Sequence, residues 1–226
     1  MGYDDNDDSR LIEAARRHLG KATLDGETAA ALAEVLNRYE ALLNENRRLV
    51  RISDQISGDL KLEAYTDKQT GVFNRAHFIE LVERELERAI RFERPLSILL
   101  IKIDGLAQLK GKFGQTACTA VLKTLAAAGL GILRRIDSFA RSDDDGFAAL
   151  LPETDTTGSV ILAERLREAV ANMGVAVGEE SIEFTVSVGV ISRSGADDKA
   201  EAMLKKAGDA LAARHGERRN RVAVAT

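Results

Sequence analysis

The segment from Leu96 to Ile103 is a near-continuous apolar run that directly follows Pro95. A run of this length and composition is typical of a strand in the middle of a sheet, covered by other elements on both faces. Such a strand is stable only when apolar layers pack against each of its two faces. The chain is therefore expected to build a layered domain around this segment.

Helical and strand-like patterns alternate on both sides of this run. The predicted elements are helix 74–92, strand 96–103, helix 116–133, strands 138–141 and 147–151, helix 157–172, strand 182–191, helix 199–214 and strand 221–225. The composition of Asp143–Gly146 is that of a turn, which predicts a hairpin between the two short strands. This order predicts an α+β domain with helices packed on a largely antiparallel sheet.

The first part of the chain has only helical patterns. A short amphipathic helix is predicted from Ser9 to Leu19, and a much longer helix begins near Glu27. Two rows at heptad spacing run along the long helix: Leu32, Tyr39, Asn46, Ser53 and Leu60 in one, and Val35, Leu42, Leu49 and Ile56 in the other. This seam predicts a coiled coil over about residues 27–62 and a parallel homodimer, in which Asn46 and Ser53 favour two strands. The alternative is a helix that lies on its own domain.

We therefore divide the chain into a helical segment, residues 1–65, and a folded domain, residues 66–226. A net charge of −4 gives no general attraction to DNA or anionic lipid, and an aromatic content of 4% argues against a base-stacking surface. Cys118 is the only cysteine, which excludes an internal disulfide and fits a reducing compartment. The acidic start is unlike a signal peptide, and no apolar stretch is long enough to span a membrane. We expect a soluble, cytoplasmic protein that binds neither nucleic acid nor membrane.

Five segments of the folded domain resemble the GGDEF family of diguanylate cyclases. They are Asp67–Arg75 (DKQTGVFNR), Pro95–Asp104 (PLSILLIKID), Phe139–Pro152 (FARSDDDGFAALLP), Phe184–Val190 (FTVSVGV) and Arg219–Val222 (RNRV). Each motif alone is weak, but their order and spacing together resemble the family closely. The resemblance implies the palm-like sheet of nucleotidyl cyclases. In that family two GTP-loaded domains face each other, and metal ions held by carboxylates drive phosphoryl transfer.

The resemblance also implies that the metal-binding acids are altered. The family's first metal-binding Asp falls at Lys102, whereas Asp104 keeps the second. The signature Gly-Gly-Asp-Glu-Phe reads Asp143, Asp144, Asp145, Gly146 and Phe147 in this chain. Lys102 is expected either to form an internal ion pair with Asp104 and Asp145 or to point into solvent at the strand end. Because a solvated turn is the commoner use of an Asp run, no metal site and no cofactor are expected.

Other family positions are altered as well. The guanine-reading Asn and Asp fall at Lys110 and Thr119, neither of which can pair with a guanine edge as Asn or Asp would. The phosphate-binding Lys falls at His215, while Arg219 keeps the family's Arg. The domain is therefore expected to be catalytically inactive, with a residual cyclase as the least favoured alternative.

An Arg-x-x-Asp sequence, Arg134 to Asp137, stands where the family often carries a site for its product, cyclic di-GMP. Arg offers a planar fork to guanine acceptors and phosphate, and Asp accepts from guanine N–H groups. The simpler interpretation is that Arg134 ends a helix and Asp137 belongs to a turn. Two functions stay open: a signalling module that reads cyclic di-GMP here, or a dimerisation and protein-interaction scaffold that binds no nucleotide.

Overall fold

The computed structural model describes residues 5–19, 25–177, 180–195, 198–213 and 219–225, with side chains except at 5–9, 19, 53–62 and 180. The chain divides into two compact units, Met1–Lys61 and Leu62–Thr226. Within the described ranges, no helix is both long and apolar enough to cross a lipid bilayer.

The first unit consists of helix α1 (Asp5–Leu19) and most of helix α2 (Gly26–Tyr65). Asp25 precedes α2, and its carboxylate accepts hydrogen bonds from the backbone N–H and the hydroxyl of Thr28 at 2.8 and 2.9 Å. This is the arrangement of a helix N-cap, which satisfies a backbone donor at the helix start. The two helices contact each other through Arg16, whose guanidinium donates to Asn37 Oδ1 at 2.9 Å and pairs with Glu40.

The second unit is built on a five-stranded sheet. Its elements are helix α3 (Arg75–Arg91), strand β1 (Leu96–Ile103), helix α4 (Leu106–Ile132), strands β2 (Ser138–Asp143) and β3 (Gly146–Pro152), helix α5 (Thr156–Ala171), strands β4 (Gly174–Val177), β5 (Glu180–Glu183) and β6 (Val186–Ser192), helix α6 (Ala200–Ala212) and strand β7 (Val222–Val224). The strand order is β2-β3-β1-β6-β7; among the described strand pairs of this sheet, β6–β7 is parallel and the others are antiparallel. Strands β4 and β5 form a separate hairpin.

Strand β1 is the centre of the core, as its apolar run predicted. Leu99 and Ile101 face a cluster that includes Leu125 of α4 and Val170 of α5. Leu96, Ile98 and Leu100 belong to a second cluster, formed with α3 and α6. Successive strand residues point to opposite faces, so a continuous apolar run is required when both faces are covered. This arrangement confirms the predicted α+β fold class.

Two predicted elements differ from the structure. Helix α4 begins at Leu106 rather than at Thr116, because it contains a kink at Gly114 (φ 79°, ψ −178°) that breaks the helical apolar period. The single strand predicted over 182–191 is wrong, because Ile182 pairs with Val175 in the β4–β5 hairpin and β6 begins only at Val186. Both strands have an alternating apolar pattern, so the sequence does not mark the break between them.

Candidate functional site

The end of strand β1 lies beside the β2–β3 hairpin. In the strand register Lys102 is opposite Gly146 of β3 on one side and Ser187 of β6 on the other. Asp143 pairs with Gly146, so the hairpin turn consists of Asp144 and Asp145. The Ile103 backbone N–H donates to the Asp145 carbonyl at 2.9 Å, which ties the turn to the strand end. The pairing therefore places the Lys102 side chain next to the acidic turn.

The Lys102 ammonium binds two carboxylates of this turn. Its Nζ lies 2.6 Å from Asp143 Oδ1 and 2.7 Å from Asp145 Oδ1. The three side chains are 33%, 41% and 50% exposed, so the cluster is half-buried. Partial burial lowers the pKa of Lys102, but the hydrogen bonds and charges of the two aspartates outweigh it and raise the pKa above the ordinary lysine value.

The same balance acts on Asp143. Partial burial raises the pKa of this carboxyl, but the hydrogen bond from Lys102 and its charge bring the pKa below the usual value. The ion pair is therefore formed at neutral pH. Of the two interpretations of Lys102 made from the sequence, the ion pair with Asp145 is confirmed, and Asp143 takes the place expected of Asp104.

Gly146 makes room for this ion pair. A Cβ atom at this position would lie 2.6 Å from Asp143 Oδ1, 2.7 Å from Ser142 Oγ and 3.1 Å from Lys102 Cδ. The first two distances are shorter than real Cβ contacts, and the third is tighter than most of them. A residue with a side chain at 146 would therefore displace the carboxylate or the lysine.

Asp104 lies just beyond the end of β1 and is held by hydrogen bonds. Its Oδ2 accepts from Thr185 Oγ1 and from the backbone N–H of Asn220, and its Oδ1 accepts from Ser187 Oγ, each at 2.8 Å. The carboxylate thus joins the end of β1 to β6 and to the segment that enters β7. The Arg219 guanidinium lies beside Gly105, the residue after Asp104. A Cβ atom placed at Gly105 would be 2.7 Å from Arg219 Nη1. His215 lies outside the described residues.

Two arginines that the sequence analysis did not single out hold the hairpin. Arg141 donates through Nε to the Asp143 carbonyl at 2.6 Å and through Nη2 to the Asp144 carbonyl. Its guanidinium carbon also lies 5.1 Å from the centre of the Phe147 ring. Arg75, at the start of α3, donates to the Ser142 carbonyl at 3.3 Å. Arg141 precedes the turn and Phe147 follows it, a cross-strand cation–aromatic pair that could have been read from the sequence.

The carboxylates at this strand end do not fit a divalent-cation site of the kind the resemblance implies. Asp143 and Asp145 bind an ammonium group, and the oxygens of Asp104 accept three hydrogen bonds from protein groups. No group of three or more His, Cys, Asp or Glu side chains among the described residues is placed to hold a metal ion. A divalent cation here would have to displace the lysine from both aspartates.

Both positions at which the family reads guanine lie on α4, and Thr119 has hydrogen-bond partners within the chain. Lys110 is exposed on α4. The Thr119 hydroxyl accepts a hydrogen bond from Gln69 Nε2 at 3.0 Å and donates to the Gln115 carbonyl at 3.1 Å. The Thr119 side chain therefore links α4 to the loop that precedes α3.

Arg134 and Asp137 form one turn between α4 and β2. The Asp137 backbone N–H donates to the Arg134 carbonyl at 3.0 Å, and Asp137 Oδ2 accepts from the Arg134 backbone N–H at 2.8 Å. Asp137 Oδ1 is buried without a hydrogen-bond partner, and burial raises the pKa of this carboxyl against the opposing effect of Arg134. The Arg134 side chain is exposed. The structure thus places the two predicted residues together, with Asp137 as a turn residue and Arg134 open to solvent.

The chain matches known proteins over most of its length. The family described as "Diguanylate cyclase, GGDEF domain" matches residues 64–221. The response regulator PleD of Caulobacter vibrioides is 29% identical over 191 residues, which make up 84% of this chain and 42% of PleD. The diguanylate cyclase DgcP of Pseudomonas aeruginosa is 31% identical over 202 residues, which make up 88% of this chain and 30% of DgcP. The chain thus spans less than half the length of these curated relatives.

A solved structure also matches nearly the whole chain. The diguanylate cyclase SiaD of Pseudomonas aeruginosa, solved in complex with its activator SiaC, is similar with a TM-score of 0.67 and 29% identity. The match covers 97% of this chain and 86% of the SiaD chain.

Proposed function

Because the chain belongs to the GGDEF family of diguanylate cyclase domains, we propose that it is a member without cyclase activity that serves as a signalling module. The observation that carries this proposal is the position of the Lys102 ammonium, 2.6 and 2.7 Å from the carboxylates of Asp143 and Asp145. Phosphoryl transfer by this family depends on metal ions that carboxylates hold near the reacting phosphates. An ammonium group supplies positive charge but cannot coordinate an attacking hydroxyl or a phosphate oxygen as a metal ion does.

The residues around Lys102 support the same proposal, because the position of the Lys102–Asp143 ion pair depends on the absence of a side chain at Gly146. Family members have Glu at the position of Gly146, and a Cβ there would lie 2.6 Å from Asp143 Oδ1 and 3.1 Å from Lys102 Cδ. A side chain at 146 would therefore force the Asp143 carboxylate to move from the position in which it pairs with Lys102. The lysine, the aspartate and the glycine form one structural unit that replaces the acidic pattern of the family.

The test is an assay for product. The full chain is incubated with GTP and Mg²⁺ or Mn²⁺, and cyclic di-GMP is quantified by chromatography with an active cyclase such as DgcP as positive control. We expect no product above the level of a protein-free sample. Asp145→Ala is the matched control, since cyclic di-GMP made by the wild type and lost in this variant would contradict the proposal.

We further propose that the signal this module reads is cyclic di-GMP, bound at the Arg134–Asp137 turn. The exposed Arg134 side chain supports this, because no described residue accepts a hydrogen bond from its guanidinium. The hydrogen bond from the Arg134 backbone to Asp137 holds the turn that presents the arginine. An exposed guanidinium on a turn of this kind can bind a phosphate or a guanine edge with two parallel hydrogen bonds.

A calorimetric titration of the full chain with cyclic di-GMP tests this site. Binding should weaken about ten- to a hundred-fold in Arg134→Ala, the range for one charged hydrogen bond. Arg135→Ala is the matched control, since Arg135 is the next residue and lies outside the Arg-x-x-Asp pattern. GTP should not bind, because Lys110 and Thr119 stand at the guanine-reading positions. If hundreds of micromolar cyclic di-GMP gives no heat, the receptor proposal fails and a protein-interaction scaffold is the remaining function.

The scaffold function has its own support in a relative. SiaD, which is 29% identical to this chain, has been solved in complex with an activator protein. A domain that has lost catalysis can still bind a protein partner, because the surfaces that such a partner contacts need not include the catalytic residues. This second candidate predicts that the chain binds a protein and not cyclic di-GMP.

A further inference from the structure

The imidazole of His77, in the first turn of α3, lies against two aromatic rings. It stacks on Tyr65, with ring centroids 4.3 Å apart and 22° between the planes, and it meets Phe73 at 4.9 Å and 69°. Tyr65 is the last residue of α2, and Phe73 belongs to the loop that connects α2 to α3. The His77 side chain is only 18% exposed. We call Tyr65, Phe73, Asn74 and His77 the α2–α3 junction.

Hydrogen bonds hold the end of α2 to the start of α3 at this junction. The Asn74 backbone N–H donates to the Tyr65 carbonyl at 2.8 Å, and Asn74 Nδ2 donates to the Ala64 carbonyl at 2.6 Å. Asn74 Oδ1 also caps α3, because it accepts from the His77 backbone N–H at 2.9 Å. The residues that fasten the end of α2 are therefore the same residues that surround the imidazole.

The charge of the imidazole affects the contacts of the junction. His77 Nδ1 lies 3.3 Å from Glu80 Oε2. An ionised carboxylate only accepts hydrogen bonds, so Nδ1 carries a proton, and protonation of the ring adds a second proton at Nε2. The resulting positive charge strengthens both the hydrogen bond to Glu80 and the contact with the face of the Tyr65 ring. Other charged side chains of this region bind each other in two ion pairs, Glu63–Lys68 and Arg75–Glu201.

We propose that His77 is a proton-sensitive switch that fastens the end of α2 to α3 more tightly when its imidazole is charged. Histidine is the residue type whose charge ordinarily changes between about pH 5 and pH 8. Proton binding and closure of the junction are linked, so the proton favours the closed junction by the factor by which closure strengthens proton binding. The proposal is independent of catalysis and of nucleotide binding.

An NMR titration of the full chain tests the linkage, with the His77 signal identified by its absence from His77→Gln. Glu80→Gln should lower the midpoint of this titration by about 0.2–0.7 pH units, the effect of losing an exposed ion pair. Tyr65→Leu should lower it by about 0.4–0.7 pH units, the effect of losing a cation–aromatic contact. Tyr65→Phe is the matched control, because it keeps the ring and should leave the midpoint unchanged. His18, on α1, is an internal reference whose midpoint should not move in these variants.

Amide hydrogen exchange tests whether the proton closes the junction. The Asn74 amide is the probe, because it donates to the Tyr65 carbonyl. Relative to the intrinsic exchange rate at each pH, its protection should be about three- to ten-fold higher near pH 5.5 than near pH 8, the effect of both shifts together. His77→Gln should remove this difference. The Leu133 amide, bonded to the Gly129 carbonyl at the end of α4, is the reference and should not show it.

Two results would overturn the proposal. One is a His77 midpoint that does not move in Glu80→Gln and Tyr65→Leu. The other is a pH dependence of Asn74 protection that persists unchanged in His77→Gln.

Discussion

Replacing Lys102 by Ala tests whether the charge cluster stabilises the second unit. The change removes two hydrogen-bonded ion pairs and leaves the carboxylates of Asp143 and Asp145 without the ammonium group that binds both. Exposed ion pairs contribute up to about 1 kcal/mol, and breaking a buried pair costs about 3–5 kcal/mol. Since these side chains are 33% to 50% exposed, solvent screens their charges, and the loss of stability should lie nearer the range for exposed pairs. We expect the free energy of unfolding to fall by about 1–2 kcal/mol.

The dependence on pH identifies the charges responsible. The folded-state pKa of Asp143 is lowered, so its stabilising contribution is present above the ordinary aspartate pKa and is lost as the pH falls through the folded value. The folded-state pKa of Lys102 is raised, so its contribution is present below the ordinary lysine pKa and is lost as the pH rises through the folded value. The difference between wild type and Lys102→Ala should therefore be largest near neutral pH and shrink below about pH 4 and above about pH 10.5.

Urea unfolding of both proteins, followed by circular dichroism at several pH values and at low and high salt, measures this difference. Lys123→Ala is the matched control, because Lys123 is exposed on α4 and no described residue pairs with it. High salt should reduce the effect of Lys102→Ala, since the cluster is partly open to solvent. If Lys102→Ala costs no more than Lys123→Ala, or if its cost is the same at pH 3 and pH 7, the ion pairs do not stabilise the fold.

Two further substitutions probe the same strand end. Gly146→Ala should lower the free energy of unfolding by about 0.2–1 kcal/mol, the range for an exposed ion pair, because the Asp143 carboxylate must move away from the new Cβ and from Lys102; an unchanged urea midpoint would contradict this. Asp104→Asn should cost about 1–3 kcal/mol, because three donors lose a charged acceptor. Thermal unfolding of wild type and variant at neutral pH checks this second result, and an unchanged transition temperature would contradict it.

The sequence predicts the sheet better than the site built on it. The apolar run at 96–103 predicts β1 and its two covered faces, because a strand buried on both faces needs apolar residues at nearly every position. No local sequence pattern predicts the hydrogen-bond partners of Lys102 and Asp104. Asp143 reaches Lys102 only through the strand register, and the Asn220 N–H reaches Asp104 only after β7 has joined the sheet. Contacts between residues so far apart in the chain depend on tertiary structure.

Two cationic side chains offset most of the negative charge of the acidic turn. Three carboxylates, Asp143, Asp144 and Asp145, lie within a single turn, and Lys102 and Arg141 supply two positive charges. One net negative charge remains, and water can solvate it because the side chains are partly exposed. Divalent cations bind strongly where several carboxylates converge without a competing cation. Lys102 therefore competes with any divalent cation for the carboxylates of Asp143 and Asp145.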